Sequence, residues 1–180
     1  MTRHLMLAGF LIFASTAAAT AQNADVDKNT IIRSLAPIQY LAQHSGQARA
    51  IDLDIEFQTG SSKLTMRAKR QLNIVADALK DWKLAGERFQ IVGHTDASGR
   101  ASMNLKLSQR RAKAVYDYLV QKGGIRKKRL MASGLGETRL KNVQTPTSGE
   151  NRRVEFVLIQ SKRTNDDSRQ KPGTEKVIKW

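Results

Sequence analysis

Cysteine is absent from the 180-residue chain. A disulfide framework, a thiolate metal site, a cysteine nucleophile and acylation on a lipobox cysteine are therefore excluded. Histidine is nearly as scarce: His4 lies in the N-terminal leader, and His44 and His94 have no metal-ligand spacing, so no metal or other cofactor is expected. Aromatic residues make up 6% of the chain, too few to interleave with its basic runs as a nucleic-acid surface requires. Acidic residues are in deficit, 16 against 31 Lys and Arg, which gives a formal net charge of +15. Such a surplus calls for an anionic partner or surface without naming one. No apolar run reaches the ~20 residues of a spanning helix.

The apolar sequence that is present begins at the N-terminus. Arg3 and His4, the run Leu5 to Ala14 and the small residues Ala19-Thr20-Ala21 have the layout of a secretory signal peptide over residues 1–21. Residues 22–50 form a polar extension, too short for a β-barrel, in which Ile31, Ile32 and Leu35 predict a short helix before Pro37 and a linker after it. Residues 161–180 carry six Lys/Arg against three Asp/Glu and read as a disordered basic tail.

Between these flanks two hydrophobic periods alternate. Ile51-Asp52-Leu53-Asp54-Ile55-Glu56-Phe57 has the period of two that marks a half-buried strand. Leu64, Ala68, Leu72, Val75, Leu79 and Trp82 recur at steps of three or four, a helical stripe ended by Gly86. A strand over Arg88 to His94 comes next, then a helix from about Ser102 to Gln121 and strands near 129–135 and 154–159. The order predicts an α+β sandwich over residues 51–160, βαβαββ, with two helices packed on one face of a mixed four-stranded sheet. The densest basic run, Arg126-Lys127-Lys128-Arg129, reads either as a solvated face or as an attraction for anionic wall polymer or lipopolysaccharide.

One stretch carries more than structure. Ile91-Val92-Gly93-His94-Thr95-Asp96 with Gly99, then Asn104, Leu107-Ser108, Arg111-Ala112, Val115 and Tyr118-Leu119, are followed by Gly134-x-Gly136-Glu137 and Asn151-Arg152-Arg153-Val154-Glu155. In these ordered motifs the chain resembles the OmpA-like C-terminal domain family, as in OmpA, peptidoglycan-associated lipoprotein and MotB. The resemblance implies non-covalent binding of peptidoglycan through the diaminopimelate residue of the stem peptide. Together with the signal peptide, which implies export to the periplasm, it implies a cell-wall-associated location peripheral to the outer membrane. Carried over residue by residue, Asp96 and Arg111 contact the ligand, Asn104 and Leu107 line and support the pocket, and Thr95 and Arg153 lie beside it. The chemistry is coherent, because the free end of diaminopimelate presents one ammonium and one carboxylate on the same carbon. A carboxylate side chain pairs with the first, and a guanidinium fork grips the second.

Two positions depart from the family pattern. Gln58-Thr59-Gly60 comes after the first strand where an acidic residue is common, and Leu140 replaces a proline. Asp96 has a bland reading as a turn-stabilising carboxylate, and His94 as a hydrogen-bonded structural residue. Beyond peptidoglycan, the expected partners are an anionic lipid or lipopolysaccharide surface reached by the basic flanks and an envelope protein, with no nucleic acid. The rival functions are an envelope assembly protein that uses the fold and basic surface without specific wall binding and, less in keeping with the residues, a cell-wall hydrolase. The hydrolase needs a zinc triad, a Cys/His pair or facing carboxylates, and the sequence offers none, so no catalytic residue is expected.

Overall fold

Among the described residues the two hydrophobic periods give three helices and four strands. The computed structural model describes residues 25–37, 49–58 and 60–159. The expected signal peptide and basic tail, and most of the expected linker, lie outside the described residues. In chain order the elements are α1 (Lys28–Leu35), β1 (Ala50–Leu53), α2 (Met66–Lys80), β2 (Arg88–His94), α3 (Ala101–Gln121), β3 (Leu130–Gly136) and β4 (Val154–Ile159). Single 3-10 turns occupy Lys127–Arg129 and Gly149–Asn151. The sheet order is β1-β4-β2-β3. β2 and β3 run parallel, joined by the α3 crossover that parallel neighbours require. β4 is antiparallel to both β1 and β2. This is the expected α+β arrangement on a mixed sheet, joined by the short helix expected before Pro37, which packs into the domain as a third helix.

The strand register places the core. Phe89 faces Leu158, Ile91 faces Phe156 and Leu53 faces Val154 across adjacent strands. All six are buried, in one cluster with Leu72, Val75 and Leu79 of α2 and Ala112, Val115 and Leu119 of α3. Each fully buried Leu, Ile, Val or Phe contributes about 1.5–3 kcal/mol. The helix before Pro37 enters the same cluster through Ile31 and Leu35, both 0% exposed. Asp27 caps it by accepting from the backbone N–H of Asn29 and Thr30. Gln71 fastens its entry to α2, accepting from the Val26 N–H and donating to the Val26 carbonyl.

Two expected elements end early. β1 stops at Leu53 because its partner β4 begins opposite, at Val154, so the ladder has nothing further to pair with. The alternation nevertheless continues as burial, with Ile55 inside and Asp54 outside. α2 stops at Lys80, so Trp82 no longer shares the helical stripe and is 69% exposed. Arg129 departs in the other direction. It is only 6% exposed, and its guanidinium donates to the carbonyls of Glu87, Leu79 and Leu84. The basic run is thus a buried staple at Arg129 preceded by three exposed cations.

A seam of glycines sets the distance between α3 and the sheet. A Cβ at Gly93 would lie 2.4 Å from the Ser108 carbonyl oxygen, and one at Gly134 would lie 2.3 Å from the Gln109 nitrogen. Only hydrogen at those positions lets the helix backbone rest on the strands. Ser108 completes the seam by accepting from the Gly136 N–H and donating to the Leu105 carbonyl. The parallel register shifts by one residue between Gly93 and His94, at a bulge whose partner Gly136 has φ 56°. Such bulges bend a strand and redirect the chain beyond them. Here the chain turns out of the sheet at Thr95.

Candidate functional site

The turn Thr95 to Gly99 is held from several sides before any ligand is considered. The Thr95 N–H donates to the Gly136 carbonyl and the Ala97 N–H to the Pro146 carbonyl. The amide of Asn104, from the first turns of α3, donates to the carbonyls of Asp96 and Ser98 and to the Glu137 carboxylate. Asn104 is therefore a tie that fixes the turn, in addition to lining the site. Asp96 accepts from the Ser98 N–H at 3.1 Å through one oxygen and from Arg152 Nη1 at 2.7 Å through the other.

These residues border one cleft of about 680 Å³. Thr95, Asp96, Asn104, Leu107, Arg111 and Arg153 all line it, so the six residues singled out in the sequence converge. The opposite wall comes from the segment after β1, with Asp54, Glu56 and Phe57. Glu56 is paired with Arg67, whereas Asp54 is exposed.

Convergence does not make Asp96 and Arg111 a bonded pair. Arg111 stacks on the Phe57 ring, 5.0 Å from its centroid, and donates from Nε to the Ser61 carbonyl at 3.1 Å. Neither terminal nitrogen has a hydrogen-bond partner among the described residues. The group bonded to Asp96 is Arg152, whereas the sequence motifs point to its neighbour. Arg153 instead pairs with Asp52 at 3.0 Å and donates to the Arg139 carbonyl. Neighbours on an extended chain point to opposite sides, so one arginine of the doublet reaches Asp96 while the other turns to Asp52. The doublet signals that one of its two arginines faces the cleft, but alternation alone does not say which.

The electrostatics derive from these contacts. Burial pushes the Asp96 carboxyl up, but the hydrogen bonds from Arg152 and Ser98 outweigh it and hold the carboxyl below the usual range. Burial, then the nearby Arg152 charge, pulls the Arg111 guanidinium down, against the Asp96 charge. His94 is 1% exposed, with Nε2 3.2 Å from Glu155 and Nδ1 without a partner among the described residues. Burial, then the Arg153 charge, lowers its pKa against the pull of Glu155, which favours the neutral ring. Thr95, which lines the cleft, has its hydroxyl buried and without a partner among the described residues. Among the described residues no cluster of three His, Asp or Glu side chains could hold a metal ion.

The model of the OmpA family matches residues 56–154, more than half of the chain and the whole of this cleft's scaffold from Glu56 onward. The chain belongs to the OmpA family. This OmpA-like domain is 36% identical over 107 residues to outer membrane porin F of Pseudomonas aeruginosa, covering 58% of the chain and 30% of the porin. It is 45% identical over 67 residues to the peptidoglycan-associated lipoprotein of the same organism, covering 37% of the chain and 38% of the lipoprotein. The chain thus spans about a third of the length of these relatives. Among solved structures, the cell wall anchor of the T6SS from Pseudomonas aeruginosa superposes with a TM-score of 0.51 at 26% identity, covering 62% of this chain and 81% of that one. The OmpA-like domain of FopA1 from Francisella tularensis gives 0.53 at 22% identity over 64% and 75%, a likeness of fold.

Proposed function

We propose that the OmpA-like domain binds peptidoglycan non-covalently, in the cell envelope, by gripping the free amino-acid head of diaminopimelate in the stem peptide. The observation that carries this reading is the pairing of opposite charges on one cleft, Asp96 ionised on one wall and Arg111 with both terminal nitrogens unused on another. Asp96 receives the ammonium, and Arg111 takes the carboxylate with two parallel hydrogen bonds. Asn104 and Ser98 keep the Asp96 turn in place, and Phe57 steadies the Arg111 guanidinium by stacking. Thr95 and Leu107 shape the walls. Arg153 acts at one remove, steadying β1 against β4 through Asp52. Relatives named for an association with peptidoglycan and for cell wall anchorage support the same reading.

The role is binding without chemistry on the bound polymer. Retention on purified sacculi tests it, comparing the wild-type chain with Asp96→Ala and Arg111→Ala in the presence of free diaminopimelate as competitor. Both variants are expected to lose competitor-sensitive retention, and no muropeptides should be released. Equal retention of all three proteins would mean that diffuse positive charge does the binding, which a salt titration detects as steep screening. A second reading is favoured by one observation, the Arg152 contact that already occupies Asp96. An envelope assembly protein with a self-satisfied cleft needs no wall ligand, and in that case sacculi retain the protein no better after diaminopimelate is withdrawn.

A further inference from the structure

The cleft lies at one end of the molecule, where β2 finishes and α3 begins. The opposite end, where β2 starts and α3 finishes, holds two features that the wall-binding reading leaves unused: the exposed Trp82 and the run Arg126-Lys127-Lys128. The 21 residues of α3 separate these ends by about 30 Å.

Arg129 joins the two features into one surface. Its guanidinium donates to the carbonyls of Leu79, Leu84 and Glu87, which bracket the turn that carries Trp82 and Lys83. The three exposed cations stand on the segment immediately before Arg129. Lys80 lies beside Gly124 of the same connection, 3.9 Å from where a Cβ would sit, and Lys122 is exposed at the end of α3. The acidic side chains of these segments are engaged elsewhere than with Lys83 and Arg126 to Lys128: Asp81 pairs with Lys28, Asp77 offsets Lys80 at 4.0 Å, and Glu87 is half-buried near Arg129. The Trp82 ring is 69% exposed, with the Lys83 ammonium 5.5 Å from its centroid.

From this juxtaposition we infer that the end carrying Trp82, Lys83, Arg126, Lys127 and Lys128 docks on the surface of an anionic phospholipid bilayer, leaving the cleft free at the far end. The chemistry favours lipid over other polyanions. An indole flanked by ammonium groups suits the headgroup region, where amphipathic rings settle. Lysines are flexible point charges that match a fluid array of phosphates rather than one fixed anion. The inference does not rest on the identity of the wall ligand.

The test is co-sedimentation of the full chain with vesicles of phosphatidylcholine alone or mixed with phosphatidylglycerol. Binding is expected only to the mixed vesicles and to weaken with salt. Each basic side chain at such a surface is worth roughly fivefold in partitioning. The triple variant Arg126→Ala/Lys127→Ala/Lys128→Ala is then expected to bind on the order of a hundredfold more weakly, with unchanged retention on sacculi. In a Trp180→Phe background, Trp82 fluorescence is expected to shift to the blue with mixed vesicles and to become shielded from an aqueous quencher. Equal binding to both vesicle types would overturn the inference, because an apolar segment would then be responsible. So would wild-type binding by the triple variant, which would place the contact on the basic tail. Loss of sacculus retention in Asp96→Ala with vesicle binding intact keeps the two readings apart.

Discussion

Arg111 and Arg129 are two arginines at opposite ends of one sheet, and each guanidinium lies over a phenylalanine ring, Phe57 at 5.0 Å and Phe89 at 5.8 Å. Burial lowers the pKa of both. They differ in how their donors are spent. Arg129 places all three nitrogens on backbone carbonyls of the end of α2 and the loop after it. Arg111 uses Nε on one carbonyl and leaves its two terminal nitrogens open on a cleft that also holds a carboxylate. The first arginine is satisfied by its own chain and acts as part of the structure. The second is held rigidly yet left incomplete, which suits a residue waiting for a ligand. A stack on an aromatic ring is common to both and distinguishes nothing. The count of unused donors does.

The contrast can be broken most forcefully at Arg129. Replacing it with Ala leaves three inward-facing carbonyls without their donor, and the unfolding free energy measured in urea is expected to drop by about 3 kcal/mol. Retention on sacculi below the new melting temperature should stay as in wild type. Next in size is Arg111→Ala, whose expected effect is at least about tenfold on competitor-sensitive retention, with a stability change under about 1 kcal/mol in the same urea titration. A variant that reversed these two signatures would make the donor count meaningless.

Acid sharpens the comparison further. The Asp96 pKa in the folded chain lies below the unfolded value of 3.8, so its paired state adds stability that is complete above pH 3.8 and is lost as pH falls through the folded value. Unfolding curves of wild type and Asp96→Asn, taken from neutral pH to strong acid, should therefore converge only in the acid range. Sacculus retention should stay flat from neutrality down to that point. The smallest effect is expected for Arg152→Ala. Its loss removes the strongest influence lowering the Asp96 pKa while burial remains, so the acid midpoint for retention moves upward, with retention at pH 7 nearly unchanged.

How far all this is legible in the sequence differs by element. Helices and strands are legible wherever a period runs long enough, as in α3, expected from about Ser102 to Gln121 and observed as Ala101–Gln121. Trp82 misleads because spacing from Leu79 only matters while the helix lasts, and α2 ends at Lys80. The six cleft residues are legible through motif resemblance, and they do share one cavity. The bond to Asp96 is not legible. It joins residues 56 apart in the chain, and in a doublet such as Arg152-Arg153 only the three-dimensional direction of the strand decides which member reaches it. Arg129 is hidden for a related reason, since composition alone cannot separate a buried cation from the exposed ones beside it. The role of α1 is partly visible in Ile31 and Leu35, but their destination depends on Gln71, 45 residues along from Val26.

The antiparallel pairing of β2 with β4 has a mechanical side. β2 leads into the cleft turn at Asp96, and β4 ends at Ile159, opposite Arg88 at the far end of the same ladder. Suppose a polymer held at the cleft pulls one way and the chain beyond Ile159 is pulled the other. The tension then runs along the strands, and their cross-strand hydrogen bonds are strained together in shear rather than opened one after another like a zipper. A domain loaded in this direction would yield by sliding a whole ladder, with the six residue pairs from Arg88–Ile159 to Gly93–Val154 resisting at once.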